Sequence, residues 1–311
     1  MTASGAPLLL IGRSGQVASA LRRLAPRLLP DRPLVVASRP ELDLAAPAEA
    51  LRLTVEQLLA THQPALVLNA AAYTAVDKAE SEAELAAAIN GTAVGVLARA
   101  CAERSLPLFH LSTDYVFSGR GERPWREDDP TGPLGVYGSS KLAGEQALQA
   151  AGGQHLLLRV SWVFGVEGAN FVRTMLRLGA ERPALSVVAD QIGGPTSAEA
   201  IASTWLSLAE AAVANRSPLD PAQPFPWGTY HYAGEPAVSW HGFAEAIFSE
   251  AVALALLPQA PQLTAIPSNG YPTPARRPAN SRLDTSRFRA AFDLPLPQWR
   301  EDLRRCLHSW A

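Results

Sequence analysis

A phenol and an ammonium group four residues apart are the side chains of this sequence best suited to chemistry. They lie in the segment YGSSK, residues 137–141, and the only other lysine is at position 78. At the start of a helix, this spacing puts both side chains on one face. A cation ~4 Å from a phenol is worth about 4 kcal/mol at an effective dielectric constant of about 20, enough to bring the phenol's pKa close to neutrality. We predict that Tyr137 donates a proton and that Lys141 lowers its pKa.

Hydroxyl groups end the strand predicted before this pair. The run LSTDYVF, residues 111–117, places Thr113 and Asp114 at the carboxyl edge of a parallel sheet, where open α/β folds bind ligands. We expect Thr113 to donate a hydrogen bond to a substrate oxygen and Asp114 to contact the same substrate. A strand-end threonine that bonds its own backbone is the alternative for Thr113.

A glycine-rich turn precedes the first predicted helix. The turn and the helix start comprise Gly12, Ser14, Gly15, Gln16 and Val17. Glycines permit a tight turn here and let backbone N–H groups approach a pyrophosphate at the positive end of a helix. The third glycine position of the dinucleotide fingerprint holds Ala18, whose methyl group still permits close packing. We predict a cofactor site, and a turn that only joins strand to helix is the alternative.

The end of the second predicted strand bears on which dinucleotide binds. An NAD enzyme usually has an acid there for the ribose 2′-hydroxyl, whereas this chain has Ser38 and Arg39. A guanidinium suits a 2′-phosphate, so we predict NADPH, with NADH as the alternative. Asp43 follows, before Leu44, and either lies beside the adenosine or caps a helix.

Small side chains end the third predicted strand. The alanines at positions 70–72, Ala70, Ala71 and Ala72, leave room for a flat cofactor to pass. Asn90, in the helical pattern that follows, either holds backbone or water near Lys141 or is an ordinary polar helix position.

Short apolar runs and longer helical patterns alternate along the first half of the chain, as in repeated βαβ units. These predicted strands and helices position the residues described above. The predicted strands are Leu8–Ile11, Leu34–Ala37, Ala65–Asn69, Leu106–Ser112 and His155–Val160. The predicted helices are Val17–Leu28, Thr54–Thr61, Ala79–Arg104 and Ser139–Ala151. The pattern predicts an α/β fold with a Rossmann-like, doubly wound parallel sheet in a dinucleotide-binding domain, residues 1–165.

The second half, residues 166–311, is less regular and predicts a smaller C-terminal α/β substrate domain, with some segments returning to the first domain. Ser217–Trp227 has the composition of a loop, Thr229–Gly234 that of a strand, and Trp240–Leu256 a helical period. Three prolines exclude a regular element from Tyr271–Arg282.

Composition narrows the class of partner. A formal net charge of −2 over 311 residues gives no concentrated basic surface for nucleic acid. Cys101 and Cys306 have no metal-ligand or disulfide spacing, as expected in a reducing compartment. The apolar run Leu8–Ile11 is too short for a signal peptide, and we expect no stretch to approach the ~20 apolar residues of a membrane helix. We therefore expect a cytoplasmic protein that binds neither nucleic acid nor membrane.

Longer motifs extend over nearly the whole chain: GRSGQVA, LNAAAYTAVDKAESE, STDYVFSG, VYGSSKLAGE, RVSWVFG, NFVRTMLRL, DQIGGPTSAE and YPTPARRPANSRLDTSRF. They resemble the extended short-chain dehydrogenase/reductase superfamily and, within it, the dTDP-4-dehydrorhamnose reductase family. The resemblance implies a catalytic triad of Thr113, Tyr137 and Lys141 and a substrate contact at Trp162. It implies cofactor contacts at Gly15, Gln16, Val17, Asp43, Leu44, Ala72, Tyr73 and Thr74.

The activity implied by this resemblance is reduction of the C4 keto group of dTDP-4-dehydro-β-L-rhamnose to dTDP-L-rhamnose by a nicotinamide hydride. Arg276 or Arg277 would face the substrate diphosphate, since a guanidinium suits that geometry. Some family members bind magnesium across a dimer through glutamates. Glu199 matches one such position but Ala20 stands at another, so we predict no metal site and leave the need for Mg²⁺ open. The protein would be a monomer or a homodimer.

Two other classes of protein share much of this pattern. A nucleotide-sugar dehydratase would follow its threonine with Asp-Glu, whereas Tyr115 follows Asp114 here; an epimerase or a reductase of another nucleotide sugar stays open. Non-catalytic regulatory subunits of methionine adenosyltransferase keep the fold and the nucleotide pocket, and the intact Thr113–Tyr137–Lys141 set favours catalysis over that role.

Overall fold

A parallel sheet forms the centre of the protein in the computed structural model, which describes residues 5–311. The strands are β1 (Leu8–Ile11), β2 (Leu34–Ala37), β3 (Leu66–Asn69), β4 (Leu108–Thr113), β5 (His155–Val160), β6 (Val163–Phe164), β7 (Ala184–Val188), β8 (Ile192–Gly193), β9 (Thr196–Ser197), β10 (Gly228–His231), β11 (Val238–Ser239), β12 (Gln262–Ile266) and β13 (Asn280–Ser281). The central sheet has six strands in the order β10-β5-β4-β3-β1-β2, all parallel. This is the doubly wound arrangement predicted from the alternating pattern.

Helices cover both faces of the sheet. They are α1 (Gln16–Leu28), α2 (Ala48–His62), α3 (Val76–Ala79), α4 (Ala83–Ala87), α5 (Ala93–Ala102), α6 (Val136–Ala150), α7 (Phe171–Glu181), α8 (Ala198–Val213), α9 (Trp240–Ala253), α10 (Ser286–Phe292) and α11 (Trp299–His308). One apolar core lies between the sheet and α1 and α8, and a second lies between the sheet and α2, α5 and α6. Strands buried on both faces are continuously apolar, as in LLLI of β1.

The register brings the strand ends together. Ile11 pairs with Asn69, and Asn69 with His110, so β1, β3 and β4 run in step toward one edge. Thr113, the last residue of β4, pairs with Val160 of β5. The glycine turn, the alanine segment and the catalytic hydroxyl therefore leave the sheet at the same edge.

The long helix predicted over Ala79–Arg104 is wrong as one regular element. The chain forms α3, a turn, α4, a π-helical segment (Ala88–Thr92) and α5. A Cβ on Gly144 would lie 2.1 Å from the Asn90 carbonyl oxygen, so α6 packs directly against the widened turn. The Asn90 side chain bonds other segments from this turn, which is typical of π-bulges at functional sites.

The helical run of residues 83–102 is long and apolar enough to cross a membrane. This is contrary to our expectation that no stretch of the sequence approaches the length of a membrane helix. Core helices meet the same criteria, and most of this run is buried against the sheet and α6.

Segments after residue 165 contribute to both halves of the molecule. Strand β10 is an edge strand of the central sheet beside β5, and α8 packs on α1. A separate apolar core joins α7, α9 and α11 with the β7–β12 pair. The segment Tyr271–Arg282 is irregular as predicted, apart from the two residues of β13. The domain boundary near residue 165 stays a prediction.

Candidate active site

Tyr137 and Lys141 lie on the first turns of α6. Gly135 is the N-cap residue, and the Glu80 carboxylate accepts a hydrogen bond of 2.9 Å from Val136 N, which takes over capping of the helix. A Cβ at position 138 would lie 2.3 Å from the Tyr115 carbonyl oxygen, so only glycine lets α6 approach the turn that follows β4. The helix thereby brings Tyr137 to Thr113.

Thr113 bonds its own backbone turn, which is one of the two predicted alternatives, and it also contacts Asp114 and Tyr137. Its hydroxyl accepts a 3.2 Å bond from Tyr115 N and donates a 3.0 Å bond to Asp114 Oδ1. The same hydroxyl interacts with the Tyr137 phenol and lowers its pKa. Thr113 and Asp114 are buried, at 5% and 2% exposure. Asp114 is thus enclosed next to Thr113, and its contact with a substrate stays a prediction.

The pKa of Tyr137 shifts in the direction opposite to the one predicted from Lys141. Burial raises the pKa of Tyr137 to about 12. The hydrogen bond with the Thr113 hydroxyl lowers this pKa, and the negative charge of Asp114 raises it further. The ammonium of Lys141 donates a 2.7 Å bond to the Leu111 carbonyl oxygen, which directs it at the strand. Burial lowers the pKa of Lys141 to about 8, and Glu145 opposes that change. At neutral pH the phenol is protonated and the ammonium is charged.

The glycine turn forms a cradle between two strand ends. Gly12 has φ of 113°, which favours glycine, and a Cβ there would lie 3.3 Å from Ala71 N. Gly15 caps α1 without a side-chain bond, and the first turn of α1 has no acid. The N–H groups that begin α1 are therefore available to an anion. Gly12, Gly15 and the exposed Ser14 fit a pyrophosphate.

Side chains around this cradle differ in what they contact. Gln16 donates to Val163 O at 3.3 Å and accepts from Asn170 Nδ2 at 3.2 Å, so its side chain links the turn to the second half of the chain. Its neighbour Val17 is buried in the core.

The side of the cradle near β2 carries the predicted adenosine contacts. Arg39 is exposed and makes no ion pair or side-chain hydrogen bond within residues 5–311. Ser38 Oγ donates to the Arg39 carbonyl oxygen at 3.3 Å. Asp43 Oδ1 accepts from Ala45 N at 3.0 Å, so it shapes the turn before α2 and does not cap the helix. Leu44 packs against the core beneath.

The segment after β3 is held from below. Asn90 accepts a 2.8 Å bond from Tyr73 N and donates 3.0 Å bonds to Tyr73 O and Ser140 Oγ. The Tyr73 phenol donates to Glu82 Oε2 at 2.6 Å. Asn90 thus fixes Ala70–Thr74 relative to the helix of Tyr137, which favours the backbone-holding role over an ordinary helix position.

Trp162 is covered on both faces of its ring. It has φ of 47°, and it stacks on Trp240 with ring centroids 3.6 Å apart and planes at 10°. A Cβ on Gly193 would lie 2.6 Å from Trp162 Cε2 and 2.9 Å from both Cζ2 and Nε1, which puts Gly193 over the other face. Both ring faces are therefore occupied while the residue as a whole is partly exposed, and its contact with a substrate stays a prediction.

Arg277 lies in the irregular segment and already has an anionic partner. Its guanidinium bonds both carboxylate oxygens of Asp77, at 3.1 and 2.8 Å. Ala275 N donates to the same carboxylate at 3.2 Å. Arg276 is exposed beside it, without a side-chain bond among the described residues.

Several residues of this site escaped prediction from the sequence. Glu80 and Asp77 lie in the YTAVDKAESE run, and Ser281 lies in the PARRPANSR run, so their only signal was membership of long motifs. Each of these three residues contacts a residue that is distant in sequence, and composition and periodicity do not reveal such contacts.

The groups around Glu199 do not suit a metal ion. Both of its oxygens accept from Arg23, at 3.2 and 3.1 Å, and Glu167 lies 3.6 Å from the same guanidinium. Among residues 5–311, no group of three or more His, Cys, Asp or Glu is arranged to hold a metal ion. An arginine thus occupies the position that a cation would need.

Known proteins are similar in sequence to this chain over nearly its whole length. The family model described as the RmlD substrate binding domain matches residues 6–311. A protein of Salmonella typhimurium named dTDP-4-dehydrorhamnose reductase is 44% identical over 303 residues, 96% of each chain. This chain belongs to the dTDP-4-dehydrorhamnose reductase family. An Escherichia coli family member is 42% identical over 305 residues, 97% of each chain.

Solved structures agree with this membership. The dTDP-4-dehydrorhamnose reductase of Bacillus anthracis, in complex with NADP, is 30% identical, with a TM-score of 0.85 over 99% of this chain and 100% of its own. A Thermus thermophilus UDP-glucose 4-epimerase, at 19% identity and a TM-score of 0.72 over 97% and 98% of the two chains, shares the fold alone. The predicted family and the Rossmann-like fold are confirmed.

Proposed function

We propose that this protein reduces the C4 keto group of dTDP-4-dehydro-β-L-rhamnose to dTDP-L-rhamnose with NADPH. The observation that carries the proposal is the grouping of Thr113, Tyr137 and Lys141 at the carboxyl edge of the sheet, in a chain of this reductase family. NADPH supplies the hydride when it is bound in the glycine cradle.

The cofactor is held by features at opposite ends of the cradle. The N-terminus of α1 binds the pyrophosphate through backbone N–H groups. Arg39, free of ion pairs among the described residues, binds the 2′-phosphate of NADPH. NADH lacks that phosphate and binds more weakly.

The reacting carbonyl oxygen gains negative charge and receives two hydrogen bonds. Tyr137 donates one of them and then gives up its proton, and Thr113 donates the other. Lys141 has three N–H donors, of which one bonds Leu111 O, so two are available to a cofactor ribose and to the phenol. Its positive charge favours the phenolate that forms.

The second half of the chain holds the nucleotide sugar. Arg277 faces the diphosphate, with Asp77 fixing the direction of its guanidinium. Trp162 contacts the sugar at its ring edge. We place the reaction in the cytoplasm, since Cys101 and Cys306 are free buried thiols that suit a reducing compartment. The protein acts as a monomer or homodimer without a metal centre.

A direct test mixes the purified protein with dTDP-4-dehydro-L-rhamnose and follows loss of the reduced-nicotinamide absorbance, with NADPH and NADH in parallel. Formation of dTDP-L-rhamnose, checked by mass, is the expected result. Tight NADPH binding without oxidation would contradict the proposal and point to another keto sugar or to the non-catalytic regulatory role.

A further inference from the structure

The loop that joins β4 to α6 carries an indole that is bonded to the irregular segment of the second half. Trp125 N donates to Arg282 O at 2.8 Å, and Asp284 N donates to Trp125 O at 2.7 Å. The indole Nε1 donates to Asn280 O at 3.1 Å, although 155 positions separate the two residues. Trp125 therefore holds one stretch of the second half, residues 277–284, at three points.

That stretch lies beside the catalytic groups. Ser281 is 1% exposed, and its hydroxyl interacts with the Asp114 carboxylate at the end of β4. Arg277 interacts electrostatically with the Tyr115 phenol. Tyr115 in turn packs edge-on against Tyr137, with ring centroids 5.5 Å apart. The position of this stretch therefore sets where Arg277 stands relative to the proton donor.

A row of contacts connects the indole to the catalytic helix. The Trp125 ring stacks on Phe117, with centroids 4.8 Å apart and planes at 7°. The Arg159 guanidinium lies 5.0 Å from the Phe117 centroid and bonds Glu145 Oε2 at 2.7 Å. Glu145 is on α6, one helical turn after Lys141. Since Phe117, Arg159 and Glu145 are all buried, these contacts form part of the packed interior.

His231 fixes the backbone of the same tryptophan. The Arg159 guanidinium can only donate, and it faces His231 Nε2 at 3.4 Å, so this nitrogen accepts and the ring proton is on Nδ1. Nδ1 lies 3.0 Å from Trp125 O and donates to it. Burial, together with the Arg159 charge, lowers the pKa of His231 to about 3, so the ring is neutral at neutral pH. The carbonyl of Trp125 is thus held by the sheet on one side and by the stretch 277–284 on the other.

We propose that Trp125 is a positioning residue, which holds the stretch 277–284 at a fixed distance from α6. One substrate molecule must reach Arg277 with its diphosphate and Tyr137 with its carbonyl oxygen at the same time. A displacement of about 1 Å between two such groups costs about 10²-fold in rate. This inference rests on the proposed reduction for its kinetic consequence.

The kinetic test compares Trp125→Phe and Trp125→Leu with the wild type. Phenylalanine keeps a ring over Phe117 but lacks the N–H that bonds Asn280 O. We expect kcat/KM for dTDP-4-dehydro-L-rhamnose to fall by about 2- to 10-fold, the value of one neutral hydrogen bond. Leucine lacks the aromatic stack as well and should lose about a further 2- to 10-fold. The Kd for NADPH, from cofactor fluorescence, should be unchanged in both variants, because neither alters the glycine cradle.

Trp227→Phe is the matched control. The Trp227 indole also donates one hydrogen bond, of 2.8 Å, but to Asn215 Oδ1, which is outside the stretch 277–284. This variant should keep the wild-type kcat/KM. Equal losses of NADPH affinity and kcat/KM in the Trp125 variants would indicate a general loss of structure and overturn the inference. An unchanged kcat/KM in Trp125→Leu would overturn it too.

Hydrogen exchange tests the positioning without turnover. The amides of Asn280 and Asp284 donate to Gly119 O and Trp125 O, at 3.0 and 2.7 Å. Both should exchange about tenfold or more faster in Trp125→Leu than in the wild type, whereas the helical amides of α6 keep their rates. Unchanged protection of these two amides rules out the inference. If the protection is lost as expected but the wild type reduces no dTDP-4-dehydrorhamnose, only the proposed function is contradicted.

Discussion

Asp77 Oδ2 and Arg277 Nη2 lie 2.8 Å apart, although 200 positions separate the two residues along the chain. The pair joins α3 of the first half to the irregular segment of the second half. Arg277 lowers the pKa of Asp77, so the carboxylate is ionised at neutral pH. The guanidinium that we assign to the substrate diphosphate is thereby held in one direction before substrate arrives.

Arg277→Ala should weaken substrate binding because it removes a charge-assisted bond to the diphosphate. A loss of about 1.5–3 kcal/mol corresponds to a Kd for dTDP-L-rhamnose about 10- to 100-fold higher. Titration calorimetry measures this change. Arg276→Ala removes the adjacent, exposed guanidinium, which has no partner in residues 5–311, and serves as the control; equal losses in both variants would contradict the assignment.

Tyr137→Phe should remove the proton donor while leaving its ring packing in place. We expect kcat to fall by about 10²–10⁴-fold, the usual contribution of a general acid, with NADPH binding unchanged. Stopped-flow absorbance measures turnover, and cofactor fluorescence measures binding. Tyr115 packs edge-on against Tyr137 with ring centroids 5.5 Å apart, so Tyr115→Phe is the matched control and should keep most of its turnover. Normal turnover in Tyr137→Phe would exclude this residue as the donor.

Arg39→Ala should change cofactor preference rather than turnover. The loss of one charge-assisted bond to the 2′-phosphate raises KM for NADPH by about 10- to 100-fold, whereas KM for NADH stays the same. Steady-state kinetics with both cofactors measures the ratio. Arg27→Ala, an exposed position late in α1, is the control. An unchanged ratio in Arg39→Ala would show that other groups select the cofactor.

Lys141→Met should make the free energy of unfolding less dependent on pH. Burial lowers the pKa of Lys141 from its ordinary 10.5 to about 8, so the unfolded chain binds this proton more tightly than the folded protein. Wild-type stability therefore rises as pH increases from about 8 to 10.5, by about 3 kcal/mol for this group, and this contribution is constant below about 8, where both states hold the proton. The methionine variant lacks this contribution.

Urea denaturation of the cofactor-free wild type and Lys141→Met at about pH 7 and about pH 10.5 tests that change. The stability advantage of the variant should shrink at the higher pH. An advantage that is constant across this range would mean that the ammonium is not buried as described.

The local sequence determined the strands, the helix face and the turn whose formation depends on residues that are close along the chain. Apolar runs of strand length gave rise to β1 to β5 near their predicted bounds, because a strand buried on both faces must be apolar throughout. The spacing of Tyr137 and Lys141 determined that they share a helix face. Gly12, with its φ of 113°, determined the turn that opens α1.

Tertiary structure decided which distant groups meet and what state they are in. Glycine lets α6 pack closely against the π-helical segment, and Trp240 stacks on Trp162 from a distant part of the sequence. Burial, rather than the four-residue spacing, is the largest influence on the pKa values of Tyr137 and Lys141. The enclosure of Asp114 by Ser281 depends on a crossing of the chain from one half to the other. Desolvation and long-range contact depend on the completed packing, so no local pattern of residues determines them.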